Sequence, residues 1–447
     1  MSPNVVVFLT DQQRWDTSGL HGNPVGLTPN LDRVGRAGTH FANSFTNQPL
    51  CTPARATLQT GLYPTTAGPH RNGIPLPADA RTLAHRFGAA GYETAYVGKW
   101  HLGDSSSRGP VRTEQRGGYE HWLAANALEH TSDSYNTIVY DGAGAQVKLP
   151  GYRVDALTDA AIRYVAQPKV RPFFLFLSLL EPHHQNRRDD YPAPEGYEEA
   201  YRGAWTPPDL ATLGGTSYRQ LPGYYGMVKR IDEAYGRLLD ALTSLGLRDD
   251  TIVLFTSDHG NHFKTRNSEY KRSVHDASIR VPTVATGGIF TGGGQVNQLL
   301  SHVDLPPTLL DAAGLPVPKE MQGRSAVPLL HDRRAEWGDD VFVQVSESET
   351  ARAVRTQRWK YGVVAPDCDP AAPGADRYVE TYLFDLMADP YELDNLIGYR
   401  SHAHVATRLR ERLVRRMVDA GEAAPTIDLS PSRDSGQLSI EPSEAEL

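Results

Sequence analysis

Apolar runs that stop at chemically capable residues recur along this chain. Val5-Val6-Val7-Phe8-Leu9 ends in Thr10-Asp11-Gln12. Phe173 to Leu180 ends in Glu181-Pro182-His183-His184, and Thr251 to Thr256 ends in Ser257-Asp258-His259-Gly260. Short runs without a polar face are the pattern of strands covered on both sides. Helical stripes lie between them. Leu83, Phe87 and Ala90 share one face of a segment from Asp79 to Ala90, which Gly91 closes before a strand from Tyr92 to Val97. Val154, Leu157, Ala161, Ile162 and Val165 form a second stripe. Val228, Ile231, Tyr235, Leu238 and Leu242 form a third, within a helix from Tyr224 to Leu245 that Gly246 ends. A further helix runs from Ser301 to Ala313 and is capped by Gly314. Alternation of buried strands with helices predicts an α/β domain with a mainly parallel sheet.

Near residue 335 the pattern changes. Val341 to Val345, Ala353 to Arg355 and Lys360 to Val364 read as short strands of an antiparallel sheet, followed by a basic helix over roughly His402 to Asp419. The expected organisation is a catalytic α/β domain over 1–335, a smaller α+β domain over 336–423 and a loose tail over 424–447, rich in Ser, Pro and Glu. Residues 104–150 and 185–222 lack a clear period and read as loops over a site rim. A length of 447 residues suits one large unit and one small one. The net charge of -8 argues against a nucleic-acid partner, and means that any anion site must be positive locally. Two cysteines, Cys51 and Cys368, exclude a disulfide framework. The opening apolar run is too short for a signal peptide or a membrane span, so a cytoplasmic protein without membrane attachment is expected.

Candidate chemistry gathers at the strand ends and at one helix start. In open α/β sheets ligands collect at the carboxyl ends of strands, which suits Asp11 and Asp258 to a hard cation; either residue also reads as a plain turn former. Cys51 stands just before Pro53, at the start of a helix where backbone N–H groups welcome an anion, and Arg55 adds a positive fork. A free cysteine also packs in cores, so this stretch by itself leaves both roles open. Lys99 and His101, two apart at a strand end, can point to one side. Asn72 in Asn72-Gly73, and His275 among the polar residues after Gly260, are candidates for substrate contact that read equally as turn or surface residues.

Taken together these segments resemble a known family. Cys51-x-Pro53-x-Arg55 with Leu58-x-Thr60-Gly61 resembles the signature of type I sulfatases. Gly91-Tyr92-x-Thr94-x-x-x-Gly98-Lys99-Trp100-His101-Leu102-Gly103 resembles the second signature of that family. Asp11-Gln12, Pro182-His183, Asp258-His259-Gly260, and Lys271 ahead of Ser278-Ile279-Arg280-Val281-Pro282 follow in family order. The resemblance implies an alkaline-phosphatase-like sandwich: a large mixed, mainly parallel sheet between helices and a smaller C-terminal antiparallel sheet. It implies that a formylglycine-generating enzyme converts Cys51 to formylglycine. It also implies that calcium sits at Asp11, Gln12, Asp258 and His259, with Gln12 in place of a commoner Asp. Arg55, Lys99 and Lys271 would stabilise charge, His183 or Lys271 would assist the leaving alcohol, and His101 would take a proton from the hydrate. The expected reaction is hydrolysis of sulfate monoesters, with a sulfated mono- or oligosaccharide as the preferred substrate. The rivals are a phosphodiesterase or phosphonate monoester hydrolase on the same scaffold, and a non-catalytic binder of sugar sulfates if Cys51 stays a thiol. Phosphonate hydrolases resemble the chain at Asp11-Gln12 and at Cys51, but typically lack the pair equivalent to Lys99 and His101.

Overall fold

A computed structural model describes residues 2–292, 294–441 and 443–444. The ten strands of the main sheet are β1 (Asn4–Thr10), β2 (Thr39–Phe45), β3 (Glu93–Lys99), β4 (His121–Ala125), β5 (Thr137–Asp141), β6 (Gln146–Leu149), β7 (Phe173–Ser178), β8 (Thr251–Ser257), β9 (Val284–Thr286) and β10 (Gln295–Ser301). Their order is β10-β2-β9-β8-β1-β7-β3-β4-β5-β6. The central strands β8, β1, β7, β3 and β4 run parallel, so their carboxyl ends share one edge.

Period-two alternation in β1 shows why its whole run is apolar. Val5, Val7 and Leu9 face a core with Leu58, Phe87 and Leu309, from helices Cys51–Thr60, Leu83–Ala89 and Leu305–Ala312. Val6 and Phe8 face the opposite core, with Val34, Leu157 and Leu238 from helices Pro29–Ala37, Arg153–Val165 and Ser217–Ser244. Each such side chain contributes roughly 1.5–3 kcal/mol on burial. The five in β1 together offset the cost of placing charged groups at its end.

Several elements differ from the expectations. Residues 104–150 do more than cover the rim: they supply β4, β5 and β6, which extend the main sheet. These strands are short, and β5 and β6 are buried at only some positions, so no continuous apolar run marked them. Residues 185–222 hold two short helices, Tyr197–Ala200 and Pro208–Thr212, and the start of the long helix. That helix begins at Ser217 and runs through Pro222; the carbonyl left without its N–H belongs to exposed Tyr218. The helix expected from Asp79 starts at Leu83, where Thr82 and His85 form a capping box. Ser301 ends β10, and a turn over His302–Asp304 precedes helix Leu305–Ala312.

The second sheet comprises β11 (Asp340–Val345), β12 (Ala351–Thr356), β13 (Trp359–Val364), β14 (Arg377–Asp385) and β15 (Thr426–Asp428) in that order. It is antiparallel except where β15 joins β14 in parallel. Thus part of the expected loose tail is a strand, and Glu444 further on pairs with Arg358; residues 442 and 445–447 of that tail lie outside the described residues. Val405, Leu409, Leu413 and Met417 of helix Ala403–Asp419 pack on one side of this sheet with Trp359 and Tyr361. Val341, Val343, Ala351 and Ala353 pack with Phe45, Val274, Ile279 and Leu299 of the main domain. This second contact carries the turn between β11 and β12 to the site. No helix among the described residues is long and apolar enough to cross a membrane.

Candidate active site

Four neighbouring strands deliver the site. Asp11 follows β1, Asp258 and His259 follow β8, Lys99 closes β3 with His101 two residues on, and Ser178 closes β7. Helix Cys51–Thr60 begins against this edge with Cys51 in its first turn. Arg55 lies four residues later and so on the same helix face.

The side chains form one tight cluster. Lys271 Nζ lies 3.0 Å from Cys51 Sγ and 3.1 Å from His259 Nε2. Lys99 Nζ lies 3.7 Å from the same sulfur and donates to Asp11 Oδ2 at 2.8 Å. His259 Nε2 is 3.4 Å from the sulfur, 3.6 Å from Asp11 Oδ1 and 3.5 Å from Asp258 Oδ1. The Nδ1 of His259 faces the carbonyl of Gly260 at 3.0 Å, which places the proton on Nδ1 and leaves the Nε2 lone pair toward the cluster. Arg55 is committed to the protein: one terminal nitrogen meets Lys99 O and Ser178 Oγ, the other meets Asp11 Oδ2 and Asp258 Oδ2. It therefore positions the two carboxylates.

Charge explains the titration behaviour. Burial pushes the Cys51 thiol up, but Lys271 and then Lys99 hold it well below its usual range. Burial and the Cys51 sulfur push Asp11 up, and Lys99, His183 and Arg55 outweigh them, holding Asp11 below the usual carboxylate range. Asp258 is pushed up to about 6 by burial and by Asp11, against His259 and Arg55. Two carboxylates facing one space cannot both ionise freely, and a divalent cation between them removes that conflict. Ligand atoms of Asp11, Cys51, Asp258 and His259 lie within 4.8 Å of one another. Gln12 Oε1 is buried beside them in the chain without a hydrogen-bond partner among the described residues, while Gln12 Nε2 donates to Tyr191. Two carboxylates, a free amide oxygen and an imidazole fit a hard divalent cation.

The backbone is bent to aim these groups. Gln12 and His101 have φ of 70° and 58°, in the left-handed region that costs a non-glycine residue about 1–3 kcal/mol. Gln12 is held there by its N–H on Asp258 and its carbonyl on the Tyr224 hydroxyl. Gly98 has φ of 111°, and a Cβ there would come within 1.9 Å of Ser178 O, so only glycine lets β3 lie this close to β7.

Asn72 accepts from the Thr52 N–H at 3.1 Å and so caps the start of helix Cys51–Thr60. His183 lies in the cluster's field; burial and then Lys271 lower its pKa, its Nδ1 faces the His184 carbonyl at 2.7 Å, and the ring also hydrogen-bonds Cys51. His184 stacks on His183 and Tyr270. The structure does not bring His275 to this group: it is buried with its ring against Tyr382 and Phe384, facing the second sheet. Two residues escaped the sequence reading. Glu129 is buried 3.3 Å from Lys99 Nζ and 3.8 Å from His101 Nε2, and despite burial Lys99 foremost, with His101 and His183 beside it, holds its carboxyl at about 2. It lies in the stretch read as a rim loop, without a motif to mark it. Glu347, on the turn after β11, accepts from Asn72 N–H at 2.7 Å and pairs with Arg272, next to Lys271, at 2.8 Å. Nothing local to Glu347 announces that role.

A parallel-sheet edge bearing a helix-borne Cys51, lysines and a carboxylate pair suits a hydrolase of oxyanion esters with an alkaline-phosphatase-like fold. The Sulfatase family model matches residues 3–315, and the model for N-sulphoglucosamine sulphohydrolase, C-terminal, matches residues 269–419. The chain is 30% identical to an ulvan-active sulfatase of Formosa agariphila over 94% of this chain and 82% of that one. It is 24% identical to an N-acetylglucosamine-6-O-sulfatase of Bacteroides thetaiotaomicron, over 92% and 85%. Among solved structures, one captured with its substrate D-glucosamine-2-N,6-O-disulfate superposes with a TM-score of 0.78 at 23% identity, over 95% and 99%. The phosphonate monoester hydrolase of Agrobacterium radiobacter superposes at 0.69 and 24%, over 94% and 96%. This chain belongs to the sulfatase family, and it is a sulfuric ester hydrolase.

Proposed function

We propose that the protein hydrolyses sulfate monoesters of a sulfated mono- or oligosaccharide, using formylglycine made from Cys51 and a calcium ion held by Asp11, Gln12, Asp258 and His259. The observation that carries this reading is the pair of lysine ammonium groups at 3.0 and 3.7 Å from the position-51 side chain, beside a cation-ready carboxylate pair. The sulfated-sugar class is supported by the likeness to an N-acetylglucosamine-6-O-sulfatase and to an ulvan-active sulfatase. When present, the aldehyde hydrate supplies a nucleophilic hydroxyl and a second hydroxyl for release of sulfate, and the cation supplies Lewis-acid polarisation. A formylglycine-generating enzyme is then the maturation partner.

The chain's own groups divide the remaining work. Lys99 is held by Asp11 and Glu129 and presents fixed positive charge to the anion. Lys271 Nζ carries donor protons 3.0 Å from the reacting position, so the leaving alcohol takes its proton from Lys271, with the His183 ring beside it on Cys51. His101, beside Glu129, accepts the proton lost when sulfate departs. Asn72 and Thr52 tie the start of the nucleophile helix to its surroundings; the Thr52 hydroxyl donates to His101 O at 2.9 Å.

A matched set of 4-nitrophenyl sulfate, phosphodiester and phosphonate tests the reading. Sulfate should be hydrolysed with the highest kcat/KM, and Cys51→Ala should abolish turnover in a folded protein. A preference for either phosphorus ester would move the chain to the phosphonate hydrolase reading, and full activity of Cys51→Ala would remove the nucleophile.

A further inference from the structure

A cavity of about 270 Å³ adjoins the reacting groups, lined by His101 and Asn72 on the side of the nucleophile helix. Its volume sits just under the roughly 300–1,000 Å³ of small-molecule sites, which suits one sugar unit. Its floor is rigid: Asn126 accepts from the Gly103 N–H at 3.0 Å and donates to Asp104 O and Ser107 O at 3.0 and 2.8 Å. Arg108 and His130 also line the cavity. Arg108 is exposed, and its guanidinium forms no ion pair among the described residues, although its backbone is pinned to Ala127 at 2.8 Å. No acidic side chain is among the residues lining the cavity, in a chain whose net charge is -8.

An unpaired guanidinium on a fixed backbone, lining a cavity without a carboxylate, is a preformed acceptor for an anion. The reacting sulfate is already served by Lys99 and Lys271, so Arg108 is left for a second charge on the same substrate. We propose that this cavity holds the sugar ring of an acidic saccharide, with Arg108 pairing a second anionic group, a carboxylate or a second sulfate, and His130 hydrogen-bonding beside it. The inference rests on the sulfate-ester reading above and adds that the preferred substrate carries two negative groups.

The test measures KM and kcat of the mature enzyme on three substrates with the same scissile sulfate: a neutral pyranose monosulfate, the matching uronic acid monosulfate and the matching disulfate. Wild type should show a KM about tenfold lower for at least one of the two acidic substrates. Preference for the uronate identifies a carboxylate, preference for the disulfate a second sulfate, and equal preference recognition of charge alone. Arg108→Ala should raise that KM about tenfold with kcat little changed, collapsing the ratio of kcat/KM to that of the neutral sugar, and Arg108→Lys should restore part of it. Equal wild-type KM across the set, or an equal change for all three substrates in Arg108→Ala, overturns the inference while leaving a working sulfatase. Failure to hydrolyse any sulfate, with turnover of the phosphorus esters, overturns the underlying reading and this inference with it.

Discussion

Lys271→Met removes the ammonium and keeps an apolar stem of similar length. The loop survives the change, because the Lys271 carbonyl, which His262 Nε2 and Asn267 Nδ2 approach at 2.9 and 3.3 Å, is backbone. At 3.0 Å from the position-51 side chain and an effective dielectric of 20, the gross attraction for a unit negative charge is about 5 kcal/mol. Removal of one well-aimed donor from an oxyanion site costs about 3–4 kcal/mol, or roughly a hundredfold to a thousandfold in kcat. A general-acid role adds to that only when the leaving group needs a proton. Nitrophenolate leaves readily as an anion, and a sugar alcohol does not. The assay compares 4-nitrophenyl sulfate with a sugar monosulfate in wild type and Lys271→Met. The loss should be about a hundredfold on the aryl ester and at least tenfold greater on the sugar ester. Equal losses would refute proton donation by Lys271 and return that role to another group. A loss under tenfold on both would refute the charge argument itself.

Asp258→Ala should lose its divalent metal and its activity together, read by elemental analysis of purified protein; bound metal at full stoichiometry in that variant would refute the ligand set. Glu347→Ala should lower kcat about tenfold with little change in KM, since it removes one hydrogen bond and one half-buried ion pair of about 1 kcal/mol each. Glu347→Gln should retain more activity through the bond to Asn72, and identical kinetics of all three proteins would dismiss the clamp. Burial pushes the carboxyl of Glu349 up to about 7 from its ordinary 4.5, against the Tyr382 hydroxyl. The folded state therefore keeps a proton that the unfolded chain loses, and this contribution is full below pH 4.5 and fades as pH rises through 7. Melting temperature should fall over that window in wild type, by up to about 3 kcal/mol of stability, and a Glu349→Gln variant should lack that part of the slope.

The placement of several candidate groups was legible along the chain because it is local. Five apolar residues from Val5 force a doubly covered strand, and the first carboxylate after them, Asp11, must emerge at its carboxyl end. The same argument places Asp258 after Thr251 to Thr256, and Cys51 with Arg55 is set by helical spacing alone. Tertiary structure decided what those groups meet. Lys271 reaches Cys51 across 220 residues of chain, a contact that depends on how the loop after β8 folds back and on no periodicity. Glu129 became a partner of Lys99 only because residues read as rim loop joined the sheet beside β3. Glu347 and His275 show the same limit from opposite directions. The packing of Val341, Val343 and Ala353 on Phe45 and Ile279 drives the β11–β12 turn into the site and covers His275 with Tyr382 and Phe384. Alternation along a strand says which face is apolar; which other face it will meet is set by strand order and by the fit of whole cores.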